Sequence, residues 1–130
     1  MIYYGKQSIN QDDINAVVDV LKSDLLTQGP KVIEFENDLA RYCGVKYAKA
    51  VSNATSALHL AYLAIGLGRN DIVWTVPNTF VATANAALYC GAEVDFIDID
   101  NRTYNLSINS LKKKLIQAKK DNKLPKLVVP

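Results

Sequence analysis

An α/β fold, with a mostly parallel sheet covered by helices on both faces, is predicted by two features of this 130-residue chain. Short β-branched runs alternate with helix-length segments from about residue 46 onward, at a spacing that suits βαβ units. Gly44, Gly91 and Pro77 fall between those segments, where helices end and strands stop. The opening stretch differs, reading as helical throughout, so we divide the chain into a helical segment, 1–45, and an α/β segment, 46–130.

The first helix is expected from Asn10 to Lys22. Asn10 can cap it, Asp12 and Asp13 complement its dipole, and Ile14, Val17, Val18 and Leu21 form a helical stripe. Leu26-Thr27-Gln28-Gly29 then breaks the pattern, and Pro30 suits the first position of a second helix that stops at Gly44. Strands are expected at 47–51, 72–76, 93–99 and from 126 onward. Helices are expected at 56–65, 80–90 and 107–120, the last capped by Ser107. The 56–65 helix is apolar nearly all round and is expected to lie buried beside the sheet. The chain reaches Pro130 just as a strand begins, so we expect the first part of a longer protein, with apolar surface left open and a tendency to self-associate.

Composition excludes several classes. Apolar content of 49% and charged content of 22% belong to a globular chain. No apolar run approaches the roughly 20 residues of a membrane helix, and the N-terminus lacks a signal-peptide core, so a cytoplasmic location is expected. Residues 1–40 carry seven acids, whereas the stretch from Asn101 carries eight bases and one acid. Those lysines fit a solvated helix face rather than a nucleic-acid stripe, because no aromatic residues interleave with them. Cys43 and Cys90 stand in no metal or redox spacing and are read as small buried hydrophobes. His59 is read as a hydrogen-bonded structural residue, and no metal site is expected.

Ser52-Asn53-Ala54-Thr55-Ser56 carries the strongest chemical signal. A strand feeds a helix whose first turn is built of hydroxyl and amide side chains, where free N–H groups and the dipole favour an anion. An ordinary cap explains the same residues. There is no glycine-rich nucleotide loop, hydrolase elbow or zinc spacing, so an anion there points to a phosphorylated cofactor. Phe80, in the first turn expected after Pro77-Asn78-Thr79, is either core or a platform for a flat ring. Thr27-Gln28-Gly29 either connects two helices or borders a pocket. Asp98 and Asp100 fit turn chemistry better than a metal or an acid–base pair.

These segments, in their order, resemble the DegT/DnrJ/EryC1/StrS sugar aminotransferases. The matching pieces are Leu26–Pro30 with Phe35-Glu36, Ser52–Leu58, Val76–Asn85, Gly91–Val94, and Asp98-Ile99-Asp100 with Thr103-Tyr104-Asn105. The resemblance implies the N-terminal part of the large domain of a fold-type I enzyme dependent on pyridoxal 5'-phosphate. Within the family, Asn53–Tyr62 and Thr79–Leu88 look like the branch that serves pseudaminic acid-type surface glycans. That branch aminates C4 of a UDP-4-keto-6-deoxy-N-acetylhexosamine with glutamate as donor. By the same resemblance Thr55 and Ser56 would hold the cofactor phosphate, Phe80 would stack on its ring, and Thr27, Gln28 and Gly29 would border the sugar. A homodimer is implied, with no membrane or nucleic-acid partner. The family's Schiff-base lysine and the carboxylate on the pyridine nitrogen lie beyond these residues, so no catalytic residue is assigned and the chain alone is expected to be inactive. Two other functions stay open at this point: a dehydratase of the same family, with histidine in place of that lysine, and a non-catalytic sugar-nucleotide binder. Asn70 departs from the family, which commonly has glycine before this aspartate.

Overall fold

The computed structural model describes residues 2, 3 and 5–130. The chain forms two compact units, residues 1–50 and 51–130.

The first unit is helical. Helix α1 spans Gln11–Leu21; Asn10 accepts the N–H groups of Asp12 and Asp13, while Asp13 accepts the Asn10 N–H at 2.8 Å. This reciprocal box satisfies several of the donors a helix start leaves free. Helix α2 spans Pro30–Cys43 with Pro30 in its first turn, and it ends on Gly44 in the left-handed region. At Gly29 a β-carbon would stand 2.8 Å from the Leu25 carbonyl oxygen, so close backbone approach requires glycine there. Cys43 is exposed rather than buried.

Residues 47–51 form no strand, contrary to expectation. The Ala50 N–H, which a ladder would need, donates to Glu36 Oε1 at 2.9 Å, and Lys49 pairs with the other carboxylate oxygen at 2.7 Å. Only Val51 in the run is β-branched, and no neighbouring strand among the described residues accepts it.

The second unit is α/β. Its helices are α3 (Ala54–Ala64), α4 (Ala82–Tyr89) and α5 (Ile108–Lys120), and its strands are β1 (Ile72–Thr75), β2 (Glu93–Phe96) and β3 (Leu127–Val129). The sheet order is β2-β1-β3, with β1 parallel to both neighbours. Alternation along β1 sorts the two cores. Val73 faces Tyr62, Leu67, Ala86 and Ala87 of the α3/α4 layer, whereas Trp74 meets Ile97 and Ala118 of the α5 layer. Both faces are therefore covered, as the alternation of elements predicts.

Three helices in this unit stop alike. Gly66, Gly91 and Asn122 take positive φ, and each next residue returns its N–H to a carbonyl five residues back. Helix α3 differs from expectation in burial: it sinks only Tyr62, while Leu60, Leu63 and Ile65 stay about half exposed (53%, 48% and 48%). A helix packed on one side of a sheet can bury only one stripe, however apolar its other faces are. Cys90 is half-buried against the α3/α4 core. His59 meets the Tyr89 ring edge-on at 5.5 Å instead of relying on a hydrogen bond.

Charge pairs fasten the strand ends. Asp71 accepts the Gly68 N–H at 2.9 Å and Lys126 Nζ at 2.8 Å, and Lys126 also reaches the Gly66 carbonyl. Asp95 pairs with Lys114 at 2.7 Å, and that ammonium lies 5.0 Å from the Trp74 ring centroid. Lysine hydrogen bonds hold both carboxyls below their ordinary values, with a backbone N–H assisting each. Each therefore binds a proton less readily folded than unfolded. Their contribution is complete above the unfolded value of about 3.9 and is lost as pH falls through the folded ones. A denaturant series with fluorescence of Trp74, buried to 2% exposure, should show stability flat above about pH 5 and falling below about pH 4. Asp71→Asn should flatten part of that slope; an unchanged slope would contradict the assignment.

Asn70 holds φ +70°, which explains why glycine serves the family there and asparagine suffices here. Asn70→Ala should lower the unfolding free energy by about 1 kcal/mol, while Asn70→Gly should be neutral or nearly so. Equal costs for the two substitutions would contradict this reading. The exposed apolar side chains of α3 predict concentration-dependent association in sizing experiments, and a monodisperse monomer would contradict it.

Candidate functional site

Parallel pairing decides where chemistry can gather. Helix α3 precedes β1 and shares a core with Val73 through Tyr62, and the chain leaves the carboxyl end of β1 toward α4. Ligands of open α/β sheets bind beyond the carboxyl ends of strands.

The α3 start is built for an acceptor-rich ligand. Asn53 is the N-cap and its side-chain oxygen takes the Ser56 N–H at 2.9 Å. The N–H groups of Ala54 and Thr55, at the first two helical positions, have no partner among the described residues. Three hydroxyls, of Ser52, Thr55 and Ser56, border them, with the Ser52 and Ser56 oxygens 3.4 Å apart. Helix α3 has no acidic residue in its first turn, whereas α1 fills its own with Asp12 and Asp13. The two helix starts thus differ: α1 sets aspartates against its dipole, and α3, like α2, α4 and α5, carries no acid in its first turn.

Phe80 is 75% exposed and belongs to neither core cluster of the described residues. It precedes α4, which begins at Ala82 with Val81 at its N-cap and no side-chain cap, rather than starting at Phe80. The Thr79 hydroxyl does not cap that helix; it pairs with the Thr83 hydroxyl at 3.0 Å. At the end of β1, Thr75 is 1% exposed and its hydroxyl oxygen has no hydrogen-bond partner among the described residues. An orphaned buried polar atom at this end of the sheet suits a place where polar ligands belong.

A cleft of about 770 Å³ opens beyond β1 and β3, bordered by Val76, Asn78, Thr79, Tyr104 and Val128. Thr55, Ser56 and Phe80 do not line it. Asn78 donates to the Tyr104 carbonyl at 3.4 Å, and Tyr104 takes φ +58°, uncommon for a bulky residue. Asp100 supports that turn by accepting the Arg102 and Thr103 N–H groups, which lower its proton affinity. Asp98 accepts the Ile99 N–H. Both carboxylates therefore serve turns, as the sequence suggested, and no cluster of three or more metal-ligating side chains occurs among the described residues.

Thr27, Gln28 and Gly29 lie in the first unit. Thr27 and Gln28 are exposed, Gln28 has φ +52°, and Gly29 is the buried N-cap of α2. Sequence reading passed over Tyr62 and Thr83, whose buried hydrogen bond joins α3 to α4 at 3.1 Å. The four-residue spacing of Thr79 and Thr83 signals their hydroxyl pair but not the bond to Tyr62.

Comparison with known proteins agrees with this architecture. Over 121 residues the chain is 50% identical to the UDP-4-amino-4,6-dideoxy-N-acetyl-beta-L-altrosamine transaminase of Campylobacter jejuni subsp. jejuni serotype O:23/36 (strain 81-176), covering 93% of this chain and 32% of that one. It superimposes on Helicobacter pylori PseC, an aminotransferase involved in the biosynthesis of pseudoaminic acid, with a TM-score of 0.82 and 32% identity, covering 97% and 33% of the two chains. The PLP form of the putative sugar aminotransferase Spr1654 from Streptococcus pneumoniae gives a TM-score of 0.82 at 28% identity, covering 86% and 29%. The chain thus spans about a third of the length of the relatives it matches. The profile of the DegT/DnrJ/EryC1/StrS aminotransferase family matches residues 7–125, and the chain belongs to that family.

Proposed function

We propose that the first turn of α3 holds the phosphate of pyridoxal 5'-phosphate and that the chain is the N-terminal portion of a nucleotide-sugar aminotransferase. The observation that carries this reading is the α3 start itself, with unpaired Ala54 and Thr55 N–H groups, neighbouring hydroxyls and no carboxylate. A phosphate dianion matches that donor set, and the helix dipole adds attraction. Thr55 contributes N–H and hydroxyl. Ser56 contributes its hydroxyl, because its N–H is already given to Asn53. Exposed Phe80 offers an aromatic face to the pyridine ring. When bound, the cofactor supplies an electrophilic carbonyl and an electron-withdrawing ring.

The reaction we propose is amination at C4 of a UDP-4-keto-6-deoxy-N-acetylhexosamine, with glutamate as donor, for pseudaminic acid-type glycans. The activities named for the Campylobacter and Helicobacter relatives support it. The Thr27–Gly29 turn is assigned to the sugar side, and the working enzyme is read as a cytoplasmic homodimer. The chain supplies binding and orientation rather than proton transfer. In the second unit Lys114 and Lys126 are committed to Asp95 and Asp71, and the remaining lysines from 112 to 120 lie on α5, which packs on the sheet face opposite α3 and α4. We therefore expect no transaminase activity from these 130 residues alone.

Titration of the chain with pyridoxal 5'-phosphate, followed by induced circular dichroism of the cofactor band, tests the site. Thr55→Ala with Ser56→Ala should weaken both the cofactor and competing inorganic phosphate. Phe80→Ala should weaken the cofactor several-fold and leave inorganic phosphate unchanged. Absence of binding, or variants without effect, would contradict the assignment. Borohydride treatment of the mixture should fix no cofactor specifically to one lysine, and stoichiometric capture at a single lysine with amino-sugar formation would overturn the expected inactivity.

A further inference from the structure

Thr83 commits each of its polar groups on the side facing the proposed site. Its N–H donates to the Phe80 carbonyl at 3.0 Å. Its hydroxyl pairs with the Thr79 hydroxyl at 3.0 Å. Its carbonyl accepts the Tyr62 hydroxyl at 3.1 Å, in a bond buried between α3 and α4. Thr83 is 8% exposed and Tyr62 4% exposed, so none of this is a loose surface contact. Burial also raises the Tyr62 phenol above its ordinary value, keeping it a proton donor.

The consequence lies in what these bonds connect. Tyr62 stands two turns along α3 from the Thr55-Ser56 start, on the same rigid helix. Thr79 and Phe80 form the segment that enters α4, and that helix start has no side-chain cap of its own. Phe80 is exposed, so packing does not set where its ring lies. Alongside the packing of α3 on α4, hydrogen bonds through Thr83 tie the Phe80 main chain to α3.

We propose that Thr83, anchored by Tyr62, is a positioning residue: it fixes the spacing between the anion-binding turn of α3 and the ring of Phe80, and so selects a ligand carrying both a phosphate and a flat ring. This rests on the cofactor reading above and adds to it a device for recognising phosphate and ring together. Neither Thr83 nor Tyr62 needs to touch the ligand.

Three variants of the chain test it: Thr83→Val and Tyr62→Phe each delete one oxygen, and Thr83→Ser restores the hydroxyl. With the two probes, pyridoxal 5'-phosphate and inorganic phosphate, Thr83→Val and Tyr62→Phe should weaken the cofactor by roughly five-fold each, as expected for one neutral hydrogen bond. Inorganic phosphate should be unaffected, and Thr83→Ser should return the cofactor affinity to within about two-fold of the original. A merely structural role would move both probes together or neither, and either result overturns the proposal. Amide hydrogen exchange without ligand keeps the test independent of the cofactor reading. Tyr62→Phe should speed exchange at Thr83, whose N–H holds Phe80, more than at Ala57 in α3. If the original chain binds no cofactor, that reading fails alone, and uniform exchange would then overturn the positioning role.

Discussion

Everything in the second unit follows from β1 being paired in parallel on both edges. A parallel neighbour cannot be reached by a tight turn, so each connection must cross a face of the sheet. With β2 and β3 on either side, β1 is buried on both faces, and Val73 and Trp74 are 0% and 2% exposed. The same constraint sends α4 away from the carboxyl end of β1. Thr75 closes β1 at that end, and Thr79 and Thr83 follow on the way into α4.

The two helix starts at Asn10 and Asn53 show how little sequence separates a cap from a candidate site. Both use asparagine to accept an N–H, three residues on at Asn53 and both two and three residues on at Asn10. At Asn10 the following aspartates complete a reciprocal box and leave the dipole compensated. At Asn53 the followers are alanine, threonine and serine, which offer donors and no charge. The distinction is electrostatic, and it is written in the three residues after each cap.

Much of the fold was legible because its signals are local. Asn10, Pro30, Gly44, Gly91 and Ser107 each perform at a helix end the role their chemistry suggests. Where the reading failed, a distant partner decided the outcome. Residues 47–51 look like a strand, but the Ala50 N–H is taken by Glu36, fourteen positions earlier. Helix α3 looks buried all round, but the sheet offers it only one side. Phe80 reads as core or platform from sequence, and it lies outside both clusters here. The Thr83 hub joins residues 21 apart in sequence, and no local pattern announces it.

The central claim is that α3, and not merely any helix start, receives the phosphate. Mapping backbone amide shifts of the 15N-labelled chain during titration with pyridoxal 5'-phosphate addresses it residue by residue. The account predicts saturable shifts at Ala54, Thr55 and Ser56, with Gln11, Asp12 and Asp13 at the α1 start unmoved. Shifts spread equally over both helix starts, or confined to the lysines of α5, would contradict it.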